Sequence, residues 1–90
     1  MYEIKYADNY EKKVIKFLKK HKDIYSQYKK TIEILQQNPR HSSLRLHKLR
    51  GKMNSFSSVS INMKYRIVID FIIVDGTIIL IDIGNHDDVY

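Results

Sequence analysis

Apolar positions change their period near the middle of the chain. Tyr2-Glu3-Ile4-Lys5-Tyr6 alternates, which predicts a short strand with Tyr2, Ile4 and Tyr6 on one side. Asp8 then offers an N-cap, with Glu11 three residues later as in a capping box. Tyr10, Val14, Phe17, Leu18 and His21 follow helical spacing, and Lys12, Lys13, Lys16, Lys19 and Lys20 fill the remaining surface, so this segment predicts an amphipathic helix. Asp23 is placed to cap a second helix whose stripe is Ile24, Tyr28, Ile32 and Leu35. Asn38-Pro39 ends it, because the proline ring disfavours helix in the residue before it. The short gap around Lys22 makes the pair an antiparallel helical hairpin.

Strand patterning takes over afterwards. Leu44 to Leu49 reads as a short strand, and Gly51 and Asn54 mark a turn. Phe56 to Ile61 follows, with Val59 and Ile61 on one face and Ser58 and Ser60 on the other. Asn62-Met63-Lys64 is a tight connection into a long strand from Tyr65 to Val74. Asp75-Gly76 is a hairpin signal, and Thr77 to Ile83 pairs back. The run IIVDGTIILIDI is apolar on both faces, which marks the centre of a sheet. The expected fold is α+β: an N-terminal strand, a helical hairpin, then a four-stranded, mostly antiparallel sheet, in the order β-α-α-β-β-β-β. Two helices cover one sheet face, and the other is left to carry function. No repeat, low-complexity tract or linker divides residues 1–90, so one domain is expected.

Charge singles out the middle of this plan. Residues 39–66 hold Arg40, Arg45, Lys48, Arg50, Lys52, Lys64 and Arg66, with His41 and His47, and no Asp or Glu. Their formal charge is +7, against +4 for residues 1–38 and −5 for residues 67–90, where Asp70, Asp75, Asp82, Asp87 and Asp88 lie. A basic middle that also reads as strands suits an anionic partner, phosphates first among them. The chain has no cysteine, so neither disulfides nor a thiolate metal site is expected. No stretch approaches the ~18 apolar residues of a membrane span. Charged residues interrupt every short apolar run of MYEIKYADNY, unlike a signal peptide. A soluble, cytoplasmic protein is the expectation. Calmodulin-like or membrane-surface binding by the first helix conflicts with the need for its apolar face over a sheet.

Several constellations are absent: a Gly-rich phosphate loop, and a Ser/His/Asp set with a nucleophile elbow. His21, His41, His47 and His86 show no i, i+4 pair or other ligand spacing, so no metal or other cofactor is expected. A polar set around the later strands remains. Alternation puts Arg66 in phase with Val68, Asp70 and Ile72. It is either half of a structural ion pair with Asp70 or Asp82, or a guanidinium on the open face whose planar fork suits a phosphate. His86 follows a strand and a glycine, where a scaffold can hold a proton-transfer group or simply an exposed imidazole. Tyr90, the last residue given, suits stacking on a base or packing on the sheet. His47, among Arg45, Lys48 and Arg50, is a second proton-transfer candidate or part of a basic edge.

The order strand, helical hairpin, four strands resembles the RelE/ParE superfamily of toxins from bacterial toxin-antitoxin systems. Three local matches carry the resemblance. Leu46-His47-Lys48-Leu49-Arg50-Gly51 is similar to the family's "KLxG" element. Lys64-Tyr65-Arg66-Ile67-Val68 is similar to its "YR-hydrophobic" strand. Ile83-Gly84-Asn85-His86-Asp87-Asp88-Val89-Tyr90 is similar to its "xxGxH/R…VY" ending. Two departures stand out: Ser58 and Ser60 occupy the strand where RelE-type members carry catalytic lysines, and the second His and the Asp of YafQ-like members are not matched, with Ser60, Asn62 and Lys64 in that neighbourhood.

For the RelE and YafQ branches the resemblance implies a metal-independent endoribonuclease that cuts mRNA in the ribosomal A site and so inhibits translation. Arg66 would stabilise the transition-state phosphate, His86 transfer a proton, Tyr90 stack or assist protonation, and His47 act as base. Arg45, Lys48, Arg50, Lys52 and Lys64 would bind RNA. RNA brings its own nucleophile, the 2′-OH, so such a site needs only a base, a cation and an acid. The implied partners are ribosome, mRNA and a cognate antitoxin with an acidic neutralising segment, with no membrane involved. A ParE-like gyrase inhibitor, or an inactive member that binds only antitoxin or RNA, are the alternatives on the same fold.

Overall fold

The computed structural model describes residues 1–51, 55–72 and 75–85, without the side chains of residues 71 and 72. In chain order they form β1 (Glu3–Tyr6), α1 (Tyr10–Lys20), a 3-10 turn (Lys22–Ile24), α2 (Tyr25–Gln37), a second 3-10 turn (Ser42–Leu44), β2 (His47–Lys48), β3 (Ser57–Ser60), β4 (Tyr65–Ile72) and β5 (Thr77–Asn85). The strands make one five-stranded sheet in the order β1-β5-β4-β3-β2. The expected α+β order is present, with the apolar β4 and β5 inside the sheet. β2 to β5 pair antiparallel, whereas β1 lies parallel to β5. A parallel neighbour requires a crossover, and the helices begin it.

Local starts differ from the cap pattern. The N-cap of α1 is Asn9, in the left-handed region at φ 70, and no side-chain hydrogen bond caps it, so the Asp8–Glu11 box does not form. Asparagine reaches that conformation more readily than most residues. Asp23 lies inside the first 3-10 turn, and α2 is entered through Ile24, which is buried in the core. Seating Ile24 takes precedence over the side-chain cap. Asn38 closes α2 by donating its backbone N–H to the Ile34 carbonyl at 2.7 Å, with Pro39 next, as predicted.

The strand expected over Leu44–Leu49 shrinks to His47–Lys48. His41 Nδ1 accepts the backbone N–H of Ser43 at 3.1 Å and starts the second 3-10 turn, which drives Leu44 into the core. Arg45 then turns the chain through φ 49. β5 runs two residues past the expected Ile83, to Asn85. Its entry matches the hairpin signal: Gly76 sits at φ 70, and the Asp75 carboxylate accepts the Thr77 N–H at 3.1 Å.

One core lies between helices and sheet. Tyr10, Val14, Ile24, Tyr28, Leu35 and Leu44 meet Val59, Ile61, Ile67, Ile69, Ile78, Leu80 and Ile83. The hydroxyls of Tyr10 and Tyr28 hydrogen-bond each other at 2.9 Å within it. Burial pushes both phenols above their ordinary range. The opposite sheet face is not bare, contrary to expectation: Leu49 and Val68 are buried there with Phe56 and Ile81 against them, and Ser58 is fully buried.

Candidate functional site

Register decides which candidate residues meet. Ser58 pairs with both His47 and Val68, so these three form one row across the sheet, whereas Asp82, set beside Val68 by the irregular step in register, reaches α1 through Lys13. Arg66 stands in the next row, between Ser60 on β3 and Gly84 on β5. Directly paired residues project to the same side, so Arg66, Val68, Ser58 and His47 share the face away from the helices. His47 and Arg66 are two strands and one pleat apart, about 12 Å between Cα atoms by ordinary strand spacing.

Arg66 is half-buried, and its Nη1 is sealed from solvent. Asp82, one of its two expected ion-pair partners, accepts Lys13 Nζ from α1 at 3.2 Å. His47 is exposed, with Nδ1 3.3 Å from the carbonyl oxygen of Arg45.

The turn leading into Arg66 holds itself. Ser60 Oγ donates to the Asn62 carbonyl at 2.6 Å, and Asn62 Oδ1 accepts the N–H groups of Lys64 and Tyr65, both at 2.9 Å. Ser60 and Asn62 are thereby committed to the hairpin. Behind it, Tyr65 points to the helix side, where its hydroxyl meets His21 Nδ1 at 3.2 Å and its ring lies edge-on to Phe17 at 5.1 Å. The first residue of β4 is thus clamped to the end of α1 while the second, Arg66, faces the other way.

Of the expected RNA-binding cations, Arg45 reaches the turn that carries Lys64. Arg45 donates from Nη1 to Sδ of the exposed Met63, at 3.7 Å, beside Lys64 in the same turn. Lys48 is exposed but pairs with Ser57, which places it on the side opposite His47. Arg50 is exposed beyond β2. Lys52, His86 and Tyr90 lie outside the described residues. Two features have no sequence signal strong enough to find them. β4 and β5 pair in step from Ile72–Thr77 to Ile69–Leu80, but Val68 then pairs with Asp82, so Ile81 is an extra, bulged residue. Gly84 consequently arrives beside Arg66. Among the described residues, no group of three or more His, Cys, Asp or Glu converges to hold a metal, and no helix is long and apolar enough to cross a membrane.

No family model and no curated protein matches the sequence. Solved structures do match it. The chain is similar to YafQ in the E. coli DinJ-YafQ complex, with a TM-score of 0.76 and 17% identity over 100% of this chain and 99% of that one. It is similar to a metal-bound toxin from Helicobacter pylori, with a TM-score of 0.79 and 19% identity over 100% of both chains. A third likeness is to the YoeB/ParE toxin from Agrobacterium tumefaciens, with a TM-score of 0.74 and 14% identity over 93% of this chain and 98% of that one. The fold expected from the three motifs, that of the YafQ and ParE toxins, is therefore the fold of this chain.

Proposed function

We propose that this chain is the toxin of a toxin-antitoxin pair and a ribosome-dependent endoribonuclease that cleaves mRNA by internal attack of the 2′-OH. The observation that carries this reading is the placement of Arg66. It is a half-buried arginine on the sheet face away from the helices, in the row beside exposed His47, on the fold of known toxins.

In this mechanism His47 takes the 2′-OH proton, and the 2′ oxygen attacks the adjacent phosphorus. The Arg66 guanidinium holds the charge that builds on the non-bridging oxygens. His86 returns a proton to the departing 5′ oxygen, and Tyr90 stacks on a base; both residues enter from the sequence motif alone. Arg45, Lys64, Arg50 and Lys52 bind backbone phosphates. The ribosome orients the mRNA, which lets a small set of groups suffice. DNA lacks the 2′-OH and is not a substrate. The antitoxin presents an acidic segment to the basic middle of the chain, as a partner filling the place that DinJ has for YafQ.

A binding-only reading has one observation in its favour. β3 carries Ser58 and Ser60, both buried, where the catalytic lysines of RelE-type toxins would stand. Such a protein would inhibit gyrase or hold RNA without cutting it.

Primer extension on a reporter mRNA in a reconstituted translation reaction separates the two. The nuclease reading expects new 5′ ends only with ribosomes present, lost in His47→Ala and His86→Ala. An uncut message together with inhibited DNA supercoiling would establish the binding-only reading.

A further inference from the structure

We infer that Gly84, brought into place by the extra residue Ile81, is a positioning residue that keeps open the lane in which Arg66 presents its guanidinium to a phosphodiester. This rests on the RNA-cleaving reading of Arg66 above. The β4–β5 register carries the argument. Continued in step from Ile69–Leu80, the pairing would set Ile83 opposite Arg66. The bulge shifts it by one, so that Ile83 turns into the core and Gly84 stands opposite Arg66 instead. A one-residue shift exchanges the two faces of everything beyond it.

Gly84 lies inside regular strand β5 and is buried. Its backbone is not among those at positive φ, so the conformation there does not demand glycine. Glycine weakens a strand interior, and its presence often marks a bulge, a bend or a site that another group approaches closely. The residue paired with it is Arg66. Directly paired Cβ atoms stand about 4.5–5.5 Å apart on one face, so a branched side chain at position 84 would pack beside the arginine stem and take part of the space open to it. On the other side stands Ser60, small, with its hydroxyl already donated to Asn62. Arg66 is therefore flanked by two of the smallest residues, and its guanidinium lies low enough for Nη1 to be sealed while part of the residue stays exposed. A fixed guanidinium loses little freedom when a phosphate arrives, which is the condition for strong transition-state stabilisation.

The test uses the full chain and two readouts. In a proton–nitrogen correlation spectrum, the Arg66 Nε–H signal is assigned by its loss in Arg66→Lys. It is expected to be well dispersed in the wild type and to move to the position of exposed arginines in Gly84→Val, with the core amide signals retained. Gly84→Ala moves it part of the way, and that variant decides the matter if Gly84→Val does not fold. An unmoved signal in either folded variant overturns the inference. In ribosome-dependent cleavage, Gly84→Val loses about 10²-fold or more, as expected for a displaced charge-stabilising donor. The double variant Gly84→Val/Arg66→Ala is no slower than Arg66→Ala alone. A further loss of tenfold in the double variant would mean that Gly84 acts apart from Arg66 and would also overturn it. If the signal moves but the wild type cuts no RNA, the positioning role stands and the nuclease reading falls.

Discussion

The phenol of Tyr65 and the imidazole of His21 meet at 3.2 Å, joining the first residue of β4 to the residue that ends α1. Phe17 completes a three-ring cluster, 4.5 Å from His21 and 5.1 Å from Tyr65 between ring centroids. Arg66 follows Tyr65 directly, so the clamp on one sheet face sets the strand that carries the guanidinium on the other. Tyr65→Phe keeps the rings and loses the hydrogen bond. It is expected to cost about 0.5–1.5 kcal/mol, a fall in Tm of about 4–8 °C per kcal/mol for a chain of this size. Tyr65→Ala, which also removes the ring contacts, costs more. Thermal and urea melts of the two variants check the order.

The Tyr10–Tyr28 hydroxyl pair makes a sharper case. Tyr10 is fully buried, so Tyr28→Phe strands its hydroxyl at a cost of about 1–3 kcal/mol. Replacing both by Phe costs less than the sum of the single changes. Burial raises both phenols in the folded chain above the ordinary value of 10.0. The unfolded chain therefore releases these protons first, and above about pH 10 it holds fewer protons than the folded chain. Stability is fully present below that pH and falls as pH rises through it. The slope of stability against pH above 10 should be shallower in the double Phe variant, as denaturant melts across that range would show.

Lys13 and Asp82 tie α1 to β5, with side chains 54% and 35% exposed. A pair this open is screened by water and salt. Lys13→Ala is expected to change stability by no more than about 1 kcal/mol, and by less in high salt. Melts at two salt concentrations measure it.

The cations are not equivalent. Arg45 reaches from the end of the second 3-10 turn to Met63, next to Lys64 in the turn that leads to Arg66, whereas Lys48 registers on the other side of β2. In the nuclease reading, Arg45→Ala and Lys64→Ala each reduce the slope of log affinity against log salt on single-stranded RNA by about 0.7. Lys48→Ala changes it less. Fluorescence anisotropy across a salt series is the check.

How much of this was legible in the sequence follows from the range of each interaction. Alternation in β1, helical spacing in α1 and α2, the Asp75-Gly76 turn and the apolar run of β4 and β5 are local signals, and the elements formed where they pointed. The local caps at Asp8 and Asp23 gave way to long-range demands, since seating Ile24 in the core fixed the entry to α2. The parallel seat of β1 beside β5 joins residues more than seventy positions apart, and no local pattern encodes it. Arg66 on the face away from the helices followed from alternation. Its neighbours did not, because the bulge at Ile81 interrupts a run in which every nearby residue is apolar or acidic and no period reveals the slip. Ser58 and Ser60 read as an open polar face, yet Phe56, Leu49 and Ile81 build a second small cluster on that side.

The central claim is that Arg66 stabilises the phosphorane in a ribosome-dependent cut. Single-turnover cleavage of a ribosome-bound mRNA by wild type, Arg66→Ala and Arg66→Lys tests it most directly. The account predicts a loss of about 10²–10³-fold for Arg66→Ala, only partial recovery for Arg66→Lys because an ammonium cannot make the planar two-pronged contact, and unchanged ribosome binding. Cleavage by Arg66→Ala at the wild-type rate would contradict it.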